Sequence, residues 1–434
     1  MVGFPTVYAT LRRLLAELSK RSPTGIRASS RLGELLSTDA QWLGLQRGLY
    51  RQFGCAFDVA LLRALVDVRA LAEAVHAAKQ AAVTAPTSAD IARHHLQDEP
   101  TGQQPYQTVR LFYATDRARG LRRGAVQAYE TRRGDGQLLL GMAEVAIPQS
   151  HRVGDLDAPS WWKFWASPDP RKHITVLAAG ELTPPGFWAG VRQCVASSTE
   201  HDVLVLVHGY NVSFDQGLRR AAQIVRDLNF RGAPILYSWP SHGAIAQYAA
   251  DEANVEWTVP RLRHLLRQLL VDAGAAQVHV IAHSMGNRAA VAAIRELQLD
   301  AMPAEAARLS QFVLAAPDID ADTFRQLAQE FAHKAQRCTL YANSEDRALA
   351  ASDWMHGGYP RAGGGGDELM LVPHVDTIDA TGQPTDFLSH SYFADASPVI
   401  SDLFYLIRAA TPPDQRARLQ RQERAGLVYW RMAL

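Results

Sequence analysis

The chain has few cysteines, no long apolar run and no excess of charge of either sign. Its 434 residues include three cysteines, which are widely spaced and odd in number. The sequence therefore shows neither a disulfide framework nor the paired spacing of a metal knuckle. The formal net charge of +1 gives no reason to expect a nucleic-acid partner or a strongly charged substrate. No stretch of about 18 apolar residues predicts a membrane-spanning helix.

The first residues also lack the pattern of a secretory signal peptide. In residues 1–8 no basic segment precedes an apolar core, which is what such a peptide requires. We therefore expect a cytoplasmic protein. A hydrophobic fraction of 47% is typical of globular chains, and the length favours two domains or one large domain with additions.

Composition divides the chain into four segments. Residues 1–95 are predicted to be a helical N-terminal region, 96–107 a polar linker, 108–411 an α/β domain, and 412–434 a basic helical tail. Between Phe57 and Lys79, leucine and valine recur at helical spacing and predict an apolar stripe. A core face is the favoured interpretation of this stripe. The alternatives are an interfacial membrane helix, or a face for self-association or for a protein partner.

From His201 onward, apolar runs alternate with stretches of helical pattern. Strands are predicted at 203–207, 234–239, 278–283, 311–316 and 338–342, and a last helix at 398–409. Repeated strand–helix units predict a doubly wound, mostly parallel sheet with helices on both faces. Two earlier strands, 109–115 and 138–148, are expected to pair antiparallel at one side of it.

The most informative position is Ser284, which lies between the strand at 278–283 and a helical stretch at 288–294. Ala282 and Gly286 stand two residues before and two after it. In a nucleophile elbow these positions must be small, because the strand turns sharply into the helix with the serine at its apex. Ala282 departs mildly from the usual glycine. The pattern predicts that Ser284 is a catalytic nucleophile.

A serine hydroxyl needs a base to take its proton and an acid to orient that base. In a doubly wound hydrolase the acid follows the serine along the chain. Asp346 comes just past the strand at 338–342, where open α/β sheets place their sites. It is the favoured acid, and Asp318, past the preceding strand, is the alternative.

The base should come after the acid, in a loop before the last helix. His390 has that position. His356 and His374 are rivals, and both lie in a long insert that also contains Gly363–Gly366. That glycine run is typical either of a hinge for a lid or of a flexible loop tip.

Two backbone N–H groups are needed to bind the oxyanion of the tetrahedral intermediate. One is expected from Met285, the residue after the nucleophile, and the other from the loop after the strand at 203–207. In that loop Tyr210 is the first choice and Asn211 the second, with Gly209 permitting close approach and His208 holding the loop. The predicted substrate-binding residues are His208, Gly209, Asn211 and Trp239. Trp239 is as readily structural as a pocket wall.

Several motifs together resemble a bacterial α/β-hydrolase family classified as domain of unknown function 900. They are Phe112-Tyr113-Ala114-Thr115-Asp116-Arg117, the strand from Gly141 to Pro148, His208-Gly209-Tyr210-Asn211, Ser238-Trp239-Pro240-Ser241, Ala282-His283-Ser284-Met285-Gly286-Asn287, Ala316-Pro317-Asp318-Ile319-Asp320 and His390-Ser391-Tyr392-Phe393. The resemblance covers about residues 109–408, and neither the helical region nor the tail. It implies an α/β-hydrolase fold with a Ser-His-Asp triad, and it says little about the substrate.

These features favour a serine hydrolase, without cofactor or metal, that cleaves a small-molecule or lipid ester through an acyl-enzyme. A lipase, thioesterase or amidase would use the same triad, and an exposed aromatic rim at Trp161–Trp165 would favour a lipase. A non-catalytic binding module on a hydrolase scaffold is the alternative from another class. No His/Asp cluster has the spacing of metal ligands.

Overall fold

A computed structural model describes residues 4–53, 59–83, 105–154, 169–242, 247–346, 349, 352, 356–383 and 398–433. The chain divides into two compact units. One contains residues Met1–Thr87 with Arg119–Tyr129 and Ala178–Gly180, and the other contains the remainder. Across the described residues, no helix is both long enough and apolar enough to cross a membrane.

Residues of the N-terminal unit form a small helical bundle. Its helices are α1 (Phe4–Ser19), α2 (Leu32–Leu35), α3 (Asp39–Phe53), α4 (Val59–Ala64) and α5 (Val68–Val83). The predicted apolar stripe is divided between α4 and α5, and its residues Leu62, Val68, Leu71 and Val75 are fully buried in the core of this unit. The interpretation of the stripe as a core face is therefore confirmed for these positions.

The larger unit is built on a mixed sheet with flanking helices. In chain order, and with the two-stranded sheet of β2 and β3 included, the strands of the described chain are β1 (Tyr106–Thr115), β2 (Arg117–Arg119), β3 (Tyr129–Arg133), β4 (Leu139–Pro148), β5 (Thr175–Glu181), β6 (Asp202–Val207), β7 (Ala233–Ser238), β8 (Gln277–His283), β9 (Arg308–Ala315), β10 (Arg337–Ala342), β11 (Val375–Asp379), β12 (Leu419–Arg424) and β13 (Leu427–Met432). The helices of the larger unit are α6 (Pro184–Ser197), α7 (Phe214–Asp227), α8 (Tyr248–Asp272), α9 (Gly286–Arg295), α10 (Ala321–Phe331) and α11 (Pro398–Ala409). β1 begins two residues inside the segment predicted to be a linker.

The strand order is β12-β13-β11-β10-β9-β8-β6-β7-β1-β4-β5. The run from β11 to β1 is parallel, and β1 pairs antiparallel with β4 as predicted. Every residue of β6 and β7 is buried, as expected for central strands covered on both faces. The predicted α/β-hydrolase architecture, a mostly parallel sheet with an N-terminal helical extension, is confirmed.

The C-terminal tail differs from its prediction. Residues 412–434 were expected to be helical, but they form the hairpin β12–β13, and β13 pairs in parallel with β11. Ala425 and Gly426 both have positive φ, +52° and +76°, which is the geometry of a two-residue hairpin turn. Trp430 and Met432 are buried on alternate positions of β13. This period-two burial outweighs the arginine-rich composition that suggested a helix.

A further parallel strand, β11, follows the one predicted to be last. It lies beside β10 in register, with Cys338 opposite Val375 and Ala342 opposite Asp379. Because β8, β9, β10 and β11 run parallel, the residues after each strand leave the sheet at the same edge. The amide of Ser284 donates to Ala315 O at 2.9 Å, which ties the end of β8 to the end of β9.

Candidate active site

Ser284 is held at a sharp turn between β8 and α9. Its φ is +48°, in the left-handed region where a non-glycine residue is strained. Asn287 braces this turn, because its Nδ2 donates to Ser284 O at 3.0 Å and to Ala315 O at 3.1 Å. The strained backbone at the end of the strand has the geometry of a nucleophile elbow.

The small residues on either side of the serine are required by close backbone packing. A Cβ placed on Gly286 would lie 2.3 Å from the carbonyl oxygen of His208 and 3.1 Å from that of Val207. Ala282, the departure from glycine, is fully buried in β8. The elbow therefore packs directly against the end of β6, and only glycine fits at position 286.

The loop after β6 comes equally close to the serine. A Cβ on Gly209 would lie 2.7 Å from His283 Nδ1 and 3.0 Å from Ser284 Cβ. The amide of Asn211, whose φ is +58°, donates to Ser241 Oγ at 2.9 Å. Among the residues described, no hydrogen-bond partner is found for the amides of Tyr210 and Met285. Of the two loop amides considered for the oxyanion, that of Tyr210 is the one left unpaired.

His208 and Trp239, predicted to bind substrate, are buried inside the scaffold. His208 Nδ1 donates to Gly209 O at 2.8 Å, and burial lowers the pKa of His208 to about 3, so the ring is neutral. Trp239 is fully buried, stacks on this ring and donates from Nε1 to His208 O at 2.7 Å. Trp239 is thus a structural residue rather than a pocket wall, and His208 holds the loop.

Both ends of this loop are anchored by polar groups. Ser241 Oγ, which accepts from the Asn211 amide, donates to Asp251 Oδ2 at 2.7 Å. Asp251 is fully buried and also accepts from the backbone and the ring of His242. At the far end, Ser213 begins α7 with a capping box completed by Gln216, which satisfies free amides of the first helical turn.

Asp318, the alternative acid, lies beside the serine with its carboxylate already engaged. Its amide donates to Ser284 O at 3.3 Å. Tyr248 donates to Oδ2, Ser352 Oγ donates to Oδ1 at 2.7 Å, and Arg288 and Arg361 lie 3.7 Å and 3.5 Å from Oδ1. These partners occupy both carboxylate oxygens of Asp318.

Asp346, the favoured acid, is half-buried past the end of β10. Its Oδ1 accepts from the amide of Leu349 at 3.1 Å. Two of the nearby glycines, Gly363 and Gly365, are buried rather than exposed at a loop tip. A Cβ on Gly363 would lie 2.6 Å from the carbonyl carbon of Ala316. The glycines instead let the insert pack tightly on the segments that follow β9 and β10.

Of the three candidate bases, the structure describes His356 and His374. His390 lies outside the described residues, in the stretch between β11 and α11, as does the aromatic cluster Trp161–Trp165 in its own segment. His356 uses both ring nitrogens, Nδ1 with Ser352 O at 2.7 Å and Nε2 with Glu252 Oε1 at 2.9 Å. His374 directly precedes β11, at the sheet edge opposite to Ser284. Both ring nitrogens of His356 are thus engaged, and His374 lies at the other edge of the sheet.

Three contributors to the site were missed by sequence reasoning. Arg117 and Asp251 are buried ions that hold loops at the edge of the sheet, and Asn287 braces the elbow. Arg117 and Asn287 stand in the motifs at 112–117 and 282–287, but spacing alone assigned neither a role, and Asp251 stands in none of these motifs. In the part of the chain that the structure describes, no three His, Cys, Asp or Glu side chains are grouped to hold a metal ion.

Comparison with known proteins supports the same fold. Residues 188–408, just over half of the chain, match the family model described as "Alpha/beta hydrolase of unknown function (DUF900)". The motifs at 112–117 and 141–148 lie before the matched residues. A comparison with curated proteins gives no significant match.

Among solved structures, the chain is similar to a candidate cell surface hydrolase from Lactobacillus plantarum WCFS1. The identity is 12% and the TM-score 0.31, and the alignment covers 50% of this chain and 96% of that chain. The elbow, the parallel sheet and the family match agree with one another. The chain therefore belongs to the alpha/beta hydrolase family of unknown function, DUF900.

Proposed function

We propose that the chain is a serine hydrolase that cleaves carboxylic esters through Ser284, His390 and Asp346. The observation that carries this proposal is the strained backbone of Ser284, at φ +48°, between the close-packed glycines 209 and 286. A serine that is only structural has no need of such strain, whereas a nucleophile gains exposure at the apex of the turn.

In this mechanism Ser284 Oγ attacks the acyl carbon while His390 takes the hydroxyl proton. Asp346 holds the imidazole in the required tautomer and stabilises the imidazolium. The amides of Tyr210 and Met285 bind the oxyanion of the tetrahedral intermediate. When the intermediate collapses, the C–O bond to the alcohol breaks and His390 returns the proton to the leaving oxygen. Water then attacks the acyl-enzyme with His390 as base, which releases the carboxylic acid and Ser284.

Three local features support these roles. The amide of Asn211 is taken by Ser241, which leaves Tyr210 as the loop donor. The carboxylate of Asp318 is occupied by its neighbours, which favours Asp346 as the acid. The chain that follows β11 leaves the sheet at the same edge as Ser284, and His390 follows in sequence.

The experiment compares matched acetyl and longer acyl substrates as p-nitrophenyl esters, thioesters and anilides. We expect ester turnover in the wild type and a loss of at least about 10⁴-fold in Ser284→Ala, as for removal of a triad nucleophile. Ser197→Ala, whose hydroxyl donates only to Cys194 O, is the matched control and should keep wild-type rates. Equal rates in Ser284→Ala and wild type would refute the assignment. Faster thioester or anilide cleavage would reassign the substrate class.

A further inference from the structure

Arg117 is a fully buried arginine that lies outside the residues matched by the family model, 188–408. It is the first residue of β2, two residues after the end of β1, at the edge of the sheet where Ser284 lies. Its guanidinium makes five hydrogen bonds, which are Nε to Ser238 Oγ (3.0 Å), Nη1 to Glu130 O (3.3 Å) and Ser241 O (3.3 Å), and Nη2 to Val212 O (2.7 Å) and His208 Nε2 (3.2 Å). One side chain thus joins the loop after β6 to the loop after β7.

The protonation states along this network are fixed by the donors and acceptors. A carbonyl oxygen only accepts, so the Nδ1–H of His208 donates to Gly209 O and Nε2 is left as an acceptor for Arg117. Burial lowers the pKa of Arg117 to about 10, which leaves the guanidinium charged at neutral pH. The charged guanidinium of Arg117 therefore binds both the neutral imidazole of His208 and the carbonyl oxygen of Val212, and so fixes the loop between them.

The held loop carries the Tyr210 amide that the proposed function assigns to the oxyanion. Gly209 packs so closely that a Cβ there would be 3.0 Å from Ser284 Cβ. A shift of about 1 Å in such a loop is enough to cost about 10²-fold in rate, because the donor no longer meets the developing charge. The position of Arg117 thus bears on the chemical step rather than on substrate binding.

We propose that Arg117 is a positioning residue, which fixes the 208–212 loop so that the Tyr210 amide can stabilise the oxyanion. This inference rests on the proposed function of Ser284. Lysine cannot replace Arg117, because an ammonium has three donors and no planar fork, whereas the five bonds here go to acceptors on several sides. Its side chain is fully buried, and on this proposal it acts through the loop.

The test measures kcat and KM for Arg117→Lys and Arg117→Ala, with kcat expressed per serine titrated by a fluorophosphonate. We expect kcat per titrated serine to fall by about 10²-fold, with KM changed less than about threefold. Millimolar guanidinium should restore part of the rate in Arg117→Ala, an effect that a general loss of packing would not show. The matched control is Arg416→Lys, which removes another buried guanidinium, paired with Asp402. It should keep wild-type kcat per titrated serine.

Hydrogen exchange at the amides of residues 209–212 is a second readout that needs no enzymatic activity. We expect at least about tenfold faster exchange in Arg117→Lys than in the wild type or in Arg416→Lys. A folded Arg117→Lys with wild-type kcat and exchange would overturn the inference and leave the proposed function intact. A wild type without labelling or turnover would overturn the proposed function, while the exchange result would still decide whether Arg117 holds the loop.

Ser238→Ala covers the case in which the Arg117 variants do not fold. It removes the acceptor of Nε and the hydroxyl beside His208 Nε2, and it keeps the guanidinium. We expect a three- to tenfold lower kcat per titrated serine at constant KM, roughly the effect of one hydrogen bond. Unchanged kcat and unchanged loop exchange in this variant would contradict the proposal.

Discussion

Gly286→Ala should disrupt the nucleophile elbow, because the added methyl group meets the backbone of the neighbouring strand. The new Cβ would lie 2.3 Å from His208 O, about 1.1 Å short of an ordinary contact of 3.4 Å. The neighbouring atoms are backbone atoms of His208 and Val207, so no side-chain rotation can relieve the clash. The elbow and the loop after β6 must move apart.

The expected magnitudes follow from that displacement. Overpacking of a rigid site costs about 1–3 kcal/mol of the free energy of unfolding. A shift of about 1 Å between Ser284 and the Tyr210 amide should reduce kcat by about 10²-fold. The two effects are measured by urea denaturation and by ester turnover per serine titrated with a fluorophosphonate.

Gly33→Ala is the matched control. Gly33 lies in α2, and among the described residues no atom beyond its chain neighbours and the backbone of its helix lies within 4 Å of an added Cβ. Alanine should therefore stabilise the helix by up to about 1 kcal/mol and leave turnover unchanged. If Gly286→Ala kept the stability and kcat of the wild type, the close packing of the elbow against β6 would be refuted.

Three further predictions concern the site. Asp346→Asn should lower kcat per titrated serine by at least about 10²-fold, whereas Asp318→Asn should leave it within tenfold and cost about 3 kcal/mol of stability; the reverse order would make Asp318 the acid. The pKa of His208 is about 3 in the fold against 6.5 in the open chain. The unfolded state therefore binds the extra proton, and the free energy of unfolding falls as the pH drops from 6.5 toward 3. In His208→Gln this fall should be smaller by about 3 kcal/mol at pH 4.5 in acid titrations followed by urea denaturation, and an equal fall would contradict a neutral buried ring. Asn287→Ala should lose about 1–2 kcal/mol in the same denaturation assay, because two buried carbonyls lose a donor, and no loss would show that the elbow needs no brace.

The elbow and the parallel sheet could be predicted because their signals are local. Apolar runs such as Val203–Val207 indicate buried strands by themselves, and small residues at 282 and 286 report on the packing around Ser284. The hairpin of the tail and the strand β11 could not be predicted in this way. Asp376 and Asp379 make β11 look polar, and their partners, Arg337 and Arg431, come from distant parts of the chain.

The residues that hold the loop after β6 could not be predicted, for the same reason. Arg117 bonds to residues from 13 to 124 positions away in sequence, so no spacing rule indicates its role. Trp239 could equally have been a pocket wall, and only its burial under His208 decides that it is structural. Local pattern thus predicts the elbow at Ser284, and long-range packing decides which residues surround it.

The most direct test of the proposed function is covalent labelling of the purified protein with a fluorophosphonate, read by intact mass and peptide mapping. The account predicts one adduct per chain, on Ser284, and none in Ser284→Ala, with Ser197→Ala labelled like the wild type. No adduct, or an adduct on another serine, would contradict the assignment of Ser284 as an activated nucleophile.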